Sequence, residues 1–244
     1  MTAVDSSDIQ SPTDKASGLS TRPDWHLLRN TILESVSTSP DAFLARADRL
    51  EKEPPEYWEG ELRSSAWAVA QDGDKIVGIA AAKRPRGTDE EYADPAKACF
   101  IESVWIAPSM RRNRVGERLV TYLIEERRKD RIQQFFLWVF DHNAPAIGLY
   151  DHMDFKPTGR FADLPVPQVR EVQQSAALPV PQVREVQYVL AFDSDVVDDD
   201  ELARNAGERQ ADLDDHGITY RLLKFTDSYE SSVGPLEAGG SIPR

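Results

Sequence analysis

Two segments near the middle of the chain carry residues of the kinds that hold phosphates and move protons. The first, SVWIAPSMRRNRVGERLVTYLIEE (Ser103 to Glu126), reads as a strand, a basic turn and a helix. Its turn, RRNRVGERL (Arg111 to Leu119), presents a run of backbone N–H groups at a helix start. The positive end of the helix dipole lies behind them, which suits a diphosphate. Gly116 would let that backbone approach a ligand with no Cβ in the way, and Arg111, Arg112 and Arg114 add countercharge. Taken alone, the turn fits equally well a basic loop capping an ordinary amphipathic helix. The second segment, FFLWVFDHNAPAIGLYDHMDF (Phe135 to Phe155), reads as a buried strand, an asparagine-led turn and a short helix ending in Tyr150. A phenol there is placed to give a proton to a leaving group. Tyrosine at such a position is also a common core residue with a hydrogen-bonded hydroxyl.

The elements that must position these residues follow from the pattern on either side. DWHLLRNTILESV has Trp25, Leu28, Ile32 and Val36 on one helical face, with Asp24 as N-cap. SPDAFLARADRLEKE (Ser39 to Glu53) opens a second helix, with Ser39 as cap and Pro40 at its first position. WAVAQDGDKIVGIAAA gives two strands about a turn at Asp72 and Gly73. ACFIESVWIA (Ala98 to Ala107) is a third strand. From Val115 the next helix puts Val115, Leu119, Tyr122 and Leu123 on one stripe. FFLWVF is apolar on both faces, hence central in a sheet. Asn143 caps the short helix around Ala146 to Tyr150, with Pro145 in its first turn. The aromatic pair in EPPEYWEGEL (Tyr57, Trp58) either lines a substrate wall or pins the second helix to the sheet.

The sequence LPVPQVREVQ occurs at residues 164–173 and again at 178–187, offset by fourteen. Two copies are too few for a solenoid. Only the second continues into an uninterrupted strand, EVQYVLAF (Glu185 to Phe192), so the first is expected to loop out beside the sheet. Residues 1–22 are Ser/Thr/Asp-rich without periodicity and are expected to be a disordered tail. Residues 193–244 are expected to be an acidic, mostly disordered tail, with an added strand or a docking segment at GITYRLLKF (Gly217 to Phe225) as the less favoured readings.

The net charge of −13 is concentrated. Asp193 to His216 holds ten acids against Arg204 and Arg209, which accounts for −8 and leaves −5 for the rest. Nucleic acid binding needs clustered cations that the chain does not offer. No apolar run reaches the roughly 18 residues of a membrane span, and the N-terminus lacks an apolar signal region. The single cysteine, Cys99, excludes a disulfide framework, and a cytoplasmic home is the expectation. No His/Cys spacing suits a metal, and no Ser/His/Asp signature is present.

The two chemical segments together resemble the GNAT N-acetyltransferase superfamily. Its acyl-CoA motif is Arg/Gln-x-x-Gly-x-Gly/Ala after a strand; here Arg111 and Gly116 stand at its ends, and Arg114 replaces the first glycine. Its second motif has Asn, Ala and Leu-Tyr followed by Gly-Phe. This chain has Asn143, Ala146, Leu149 and Tyr150, then Asp154-Phe155, so the glycine of that pair is absent. The resemblance spans about 23–192 and implies a single α/β domain. Its sheet would be mixed and mostly antiparallel, with two helices before the first hairpin and the cofactor helix after the fourth strand. It implies acetyl-CoA as co-substrate and a small-molecule or peptide primary amine as acceptor, attacking directly in a ternary complex. By the same resemblance Val104, Trp105 and Ile106 run beside the pantetheine, and the Ile106 N–H cradles the acetyl oxygen. Arg111, Arg112, Asn113, Arg114, Val115, Gly116 and Glu117 form the diphosphate turn, joined by Asn143, and Tyr150 is the acid. A glutamate that some members carry on the strand before the Asn motif falls here on Trp138, leaving Glu102 as the best carboxylate for a base. The alternative is a non-catalytic acyl-CoA-binding or interaction module on the same scaffold.

Overall fold

The apolar run FFLWVF needs neighbours on both sides, and it has them. In the computed structural model, which describes residues 24–85, 94–165, 182–192 and 217–224, it forms an interior strand of a seven-stranded sheet. The chain begins with helices α1 (Asp24–Thr38), α2 (Ala47–Leu50) and α3 (Pro55–Ser64), followed by strands β1 (Ser65–Asp72), β2 (Lys75–Lys83) and β3 (Ala98–Ile106). Then come α4 (Val115–Arg128), β4 (Gln134–Phe140), α5 (Ala144–His152), β5 (Lys156–Pro165), β6 (Gln182–Ala191) and β7 (Ile218–Leu222). The strand order is β5-β6-β4-β3-β2-β1-β7, with β3–β4 parallel and the other described pairs antiparallel. This is a single α/β domain with a mixed, mostly antiparallel sheet.

The two sheet faces are covered by different helices. Leu119, Val120 and Leu123 of α4 are fully buried against β1, β2 and β3. Gly78 makes that approach possible: a Cβ there would come within 2.7 Å of Ile106 Cδ1 and 3.2 Å of Leu119 Cδ2. On the opposite face α1 and α3 contribute Leu28, Ile32, Trp58 and Leu62. The Trp67 indole donates to the Glu61 carbonyl at 3.0 Å, fixing α3 over β1. Trp58 is only 2% exposed and Tyr57 is 38% exposed, so of the two aromatics it is Trp58 that anchors its helix to the core.

Several expectations need correction. Ser39 to Glu53 is not one helix but a 3₁₀ turn at Pro40–Ala42 and the single turn α2. The Ser39 hydroxyl does not cap; it accepts from Arg111 Nη2 at 2.7 Å, a long-range contact invisible to local pattern. Helix formation moves instead to α3, with Pro55 in its first turn. In the hairpin Asp72 pairs with Lys75, so the turn residues are Gly73 and Asp74, with Gly73 at φ 57°. Helix α4 follows the third strand rather than a fourth.

The sheet also extends past residue 192. Ile218–Leu222, within the segment expected to be mostly disordered, pairs with β1 and buries Ile218. Asp24 accepts from the Lys224 N–H at 2.7 Å and lies 3.5 Å from Arg221, tying α1 to this strand. The expected N-terminal tail and the acidic run lie outside the described residues. So does the first LPVPQVREVQ copy, apart from Leu164 and Pro165, which end β5 opposite Val183 and Gln182 of the second copy. No described helix is long and apolar enough to cross a membrane.

Candidate active site

The site is built where two parallel strands part. β3 and β4 pair only over Ala98–Phe100 against Gln134–Phe136. Beyond that, β3 stays with β2, and β4 stays with β6 as far as the Phe140–Glu185 pair. A bulge drives the separation: Ala81 faces Glu102 and Ile79 faces Trp105, so three steps on β3 match two on β2. Ser103, in the bulge, has φ 55°. The Ala107 N–H bonds the Val77 carbonyl at 2.9 Å. By the alternation of an antiparallel ladder, the Ile106 N–H therefore points away from β2, into the opening.

The basic turn closes one side of this opening. Arg112 (φ 69°) and Arg114 (φ 59°) take left-handed conformations, while Arg111 has φ −66°. Alternation of this kind turns successive N–H groups toward one concavity, an anion-binding arrangement. Arg114 is the N-cap of α4 and makes no side-chain cap bond, and the first intrahelical bond runs from Arg118 N–H to Arg114 carbonyl. The N–H groups of Val115, Gly116 and Glu117 are thus left for a ligand. The guanidiniums act differently from expectation. Arg111 donates to the Ile106 carbonyl (3.0 Å) and to Ser39, and Arg114 grips Glu117 through two bonds of 3.0 and 2.8 Å. The Arg114 hydrogen bonds hold the Glu117 carboxyl below its usual range. Glu117 Oε2 also lies 3.8 Å from His152 Nε2, bridging α4 to α5. Arg112 and Asn113 are exposed.

Gly116 has a packing role beyond the one expected of it. A Cβ there would lie 3.4 Å from Ile106 Cγ1 and 3.4 Å from Leu149 Cδ2, pointing into the junction of β3, α4 and α5. That junction brings Ile106, Gly116 and the Leu149-Tyr150 step together. Tyr150 is placed by the end of its own helix. Phe155 N–H bonds the Tyr150 carbonyl (3.0 Å), and Asp154 N–H bonds the Asp151 carbonyl (3.2 Å). This is a Schellman termination, accompanied by its usual apolar contact: the Tyr150 and Phe155 rings lie 5.7 Å apart. Tyr150 is 6% exposed, burial pushes its phenol above the usual range, and its hydroxyl has no hydrogen-bond partner among the described residues. At the other end of α5, Asn143 Oδ1 accepts from Ala146 N–H at 3.3 Å, so its side chain serves as a helix cap.

Both glycines missing from the family pattern fall on left-handed backbone, Arg114 at φ 59° and Asp154 at φ 64°. Glycine adopts this conformation most readily, and here an arginine and an aspartate do so.

The carboxylates lie on the sheet face away from α4. Ladder register places Lys83, Phe100 and Phe136 on one side, and Ala81 and Glu102 follow on that side along β2 and β3. Phe140 and its partner Glu185 follow there along β4 and β6. The bulge brings Trp105 to the same face, where its buried Nε1 has no partner among the described residues. Glu102 is exposed rather than set in the cleft centre. Sequence reasoning passed over Glu185: it is half-buried, lacks a hydrogen-bond or charge partner among the described residues, and burial raises its carboxyl. The signal for it, a lone acid inside the apolar strand REVQYVLAF, was readable, but its closeness to β4 depends on strand register. Among the described residues no group of three or more His, Cys, Asp or Glu could hold a metal.

The acetyltransferase (GNAT) family model matches residues 31–155, just over half of the chain, and the chain belongs to that family. No curated protein matches it in sequence. Among solved structures it is similar to the smu.2055 protein of Streptococcus mutans UA159, at 19% identity over 70% of this chain and 94% of that one, with a TM-score of 0.50. It is also similar to yncA from Salmonella typhimurium, solved with its cofactor acetyl-CoA (17% identity, 72% and 92% coverage, TM-score 0.49). A third is NAA60 from Arabidopsis thaliana in complex with a bisubstrate analogue (16% identity, 70% and 95% coverage, TM-score 0.48).

Left-handed backbone costs a non-glycine residue about 1–2 kcal/mol, somewhat less for aspartate. Asp154→Gly is therefore expected to stabilise the protein by up to about 1 kcal/mol. Urea unfolding reads this out; an unchanged or lowered midpoint contradicts the assigned strain.

Proposed function

We propose that the chain transfers an acetyl group from acetyl-CoA to a primary amine, which attacks the thioester directly within a ternary complex. The observation that carries this is the opening between β3 and β4, with the Ile106 N–H directed into it and the uncapped start of α4 beside it. In this reading the N–H groups of Val115, Gly116 and Glu117 hold the diphosphate, helped by the turn from Arg111 to Arg114. The free edge of β3 at Val104 and Ile106 runs along the pantetheine. The Ile106 N–H donates to the acetyl oxygen as negative charge develops there, an oxyanion contribution.

Tyr150 supplies the hydrogen bond to the departing sulfur. Its raised pKa keeps the phenol protonated throughout the physiological range, as a donor must be. An ordinary phenol, pKa about 10, is already a weaker acid than a thiol near 8.5, and the shift widens that gap, so donation to the sulfur matters more than complete transfer to it. On the far face of the sheet Glu102 and Glu185 flank the approach of the amine. Glu185 is the better base of the two, because a raised carboxyl pKa lies nearer the working pH. The alternative, a non-catalytic acyl-CoA-binding module, draws on the engagement of Arg111 and Arg114 with protein groups and on Trp138 at the family's glutamate position. Thiol release from acetyl-CoA across a panel of amines separates the two.

With an accepted amine, Tyr150→Phe is expected to lower turnover about 10²- to 10⁴-fold while leaving coenzyme A affinity in place; wild-type turnover in that variant removes the assignment. The pH dependence follows from Glu185. A base works deprotonated, so turnover falls as pH drops through its raised pKa, at a higher pH than an ordinary carboxylate would give. Glu185→Gln should erase that acidic limb. Its persistence in the variant assigns the base elsewhere.

A further inference from the structure

At the opposite end of α4, about 20 Å from its first turn at 1.5 Å rise per residue, lies a cavity of about 300 Å³. Arg63 and Ser64 from the end of α3, Ser65 from β1, Arg84 after β2, Cys99 of β3 and Arg127 in the last turn of α4 line it. Three arginines line it, and no carboxylate is among its described lining residues, in a chain whose net charge is −13.

Arg127 Nη1 reaches Asp130 at 2.9 Å, and Arg63 lies 3.8 Å from the exposed Glu59. Arg84 donates through Nη1 to the Ala96 carbonyl at 2.7 Å; a guanidinium carries five N–H donors, so this engages a fraction of them. The Nε of Arg127 is buried and has no acceptor among the described residues. A buried donor left without an acceptor is costly, which gives an anion in the cavity something to relieve. Cys99 does not supply the missing negative charge. Burial pushes its thiol pKa up to about 11, with Asp130 adding to the rise and Arg84 and Arg127 opposing it, so Cys99 stays a neutral thiol. The described lining residues therefore carry three guanidiniums and no carboxylate at neutral pH. Its volume sits at the small end of ligand sites, and the partial negative charge at the C-terminus of α4 is offset by Arg127 and Arg128.

We propose that this cavity is a binding site for a small oxyanion carrying at least two negative charges, clamped between Arg84 and Arg127 with Arg63 adding charge at its side. The shared chemistry, two or more anionic oxygens presented to guanidiniums, is offered both by phosphate and by small polycarboxylates. The inference does not depend on the catalytic reading, because the site lies at the other end of α4.

The test is calorimetric titration of the full chain with inorganic phosphate and, separately, with citrate, at matched ionic strength, each with and without saturating coenzyme A. Binding of one or both tighter than about 1 mM is expected, with the stronger arm identifying the anion class. Arg84→Gln, at an exposed position, and Arg127→Gln should each weaken it about tenfold or more, with circular dichroism confirming that the variants are folded. Absence of binding in both arms overturns the proposal, as does binding that Arg84→Gln leaves unchanged. Binding seen only without coenzyme A does so too, because it places the anion at the start of α4; that outcome leaves the acetyl-transfer reading standing.

Discussion

The parting of β3 from β4 after the Phe100–Phe136 pair is the constraint that organises the molecule. Two parallel strands in the middle of a sheet would ordinarily continue their ladder, since unpaired main-chain groups away from water are costly. Here the bulge at Ser103 turns β3 aside, while β4 remains zipped to β6 along its whole length. The edge groups thus released are aimed at a common space. The same bulge brings Glu102 and Trp105 to one face, and it leaves Ile106 beneath α4, where Gly78 and Gly116 make room for it. One extra residue in one strand therefore sets the opening, its donor and the seat of the helix that borders it.

In the proposed acetyl-transfer site, attraction for a diphosphate would come from the main chain more than from the basic side chains. Of the three arginines in the turn, Arg111 ties the loop to β3 and to Ser39, and Arg114 is locked onto Glu117. Their work is to hold a strained loop in shape, with Arg112 and Arg114 both left-handed. Such strain persists where the surroundings over-determine it, and it is characteristic of functional sites. Asp154 repeats the theme at the end of α5, where the Schellman bonds hold a left-handed aspartate and fix Tyr150 against Phe155.

This also explains what was legible in the sequence. The strand–turn–helix around Gly116 and the asparagine-capped helix ending in Tyr150 are local structures, so spacing, caps and glycine positions announce them. The two departures from the family pattern, Arg114 and Asp154, both fall on left-handed backbone, a conformation that the substitutions themselves do not announce. What could not be read depended on distant partners. Ser39 bonds Arg111 across the fold rather than starting a helix, Ile218–Leu222 becomes a strand only because β1 offers an edge, and Glu185 reaches the opening only through its register with Phe140. Tyr57 and Trp58 were undecided until helix α3 set one inward and the other outward.

The account stands on four amide groups, and amide signals report on them directly. In a nitrogen-15 NMR titration with acetyl-CoA, it predicts the largest shifts at Ile106, Val115, Gly116 and Glu117, at the end of β3 and the start of α4. Large shifts confined to other parts of the sheet, with those four amides unmoved at saturation, would contradict it.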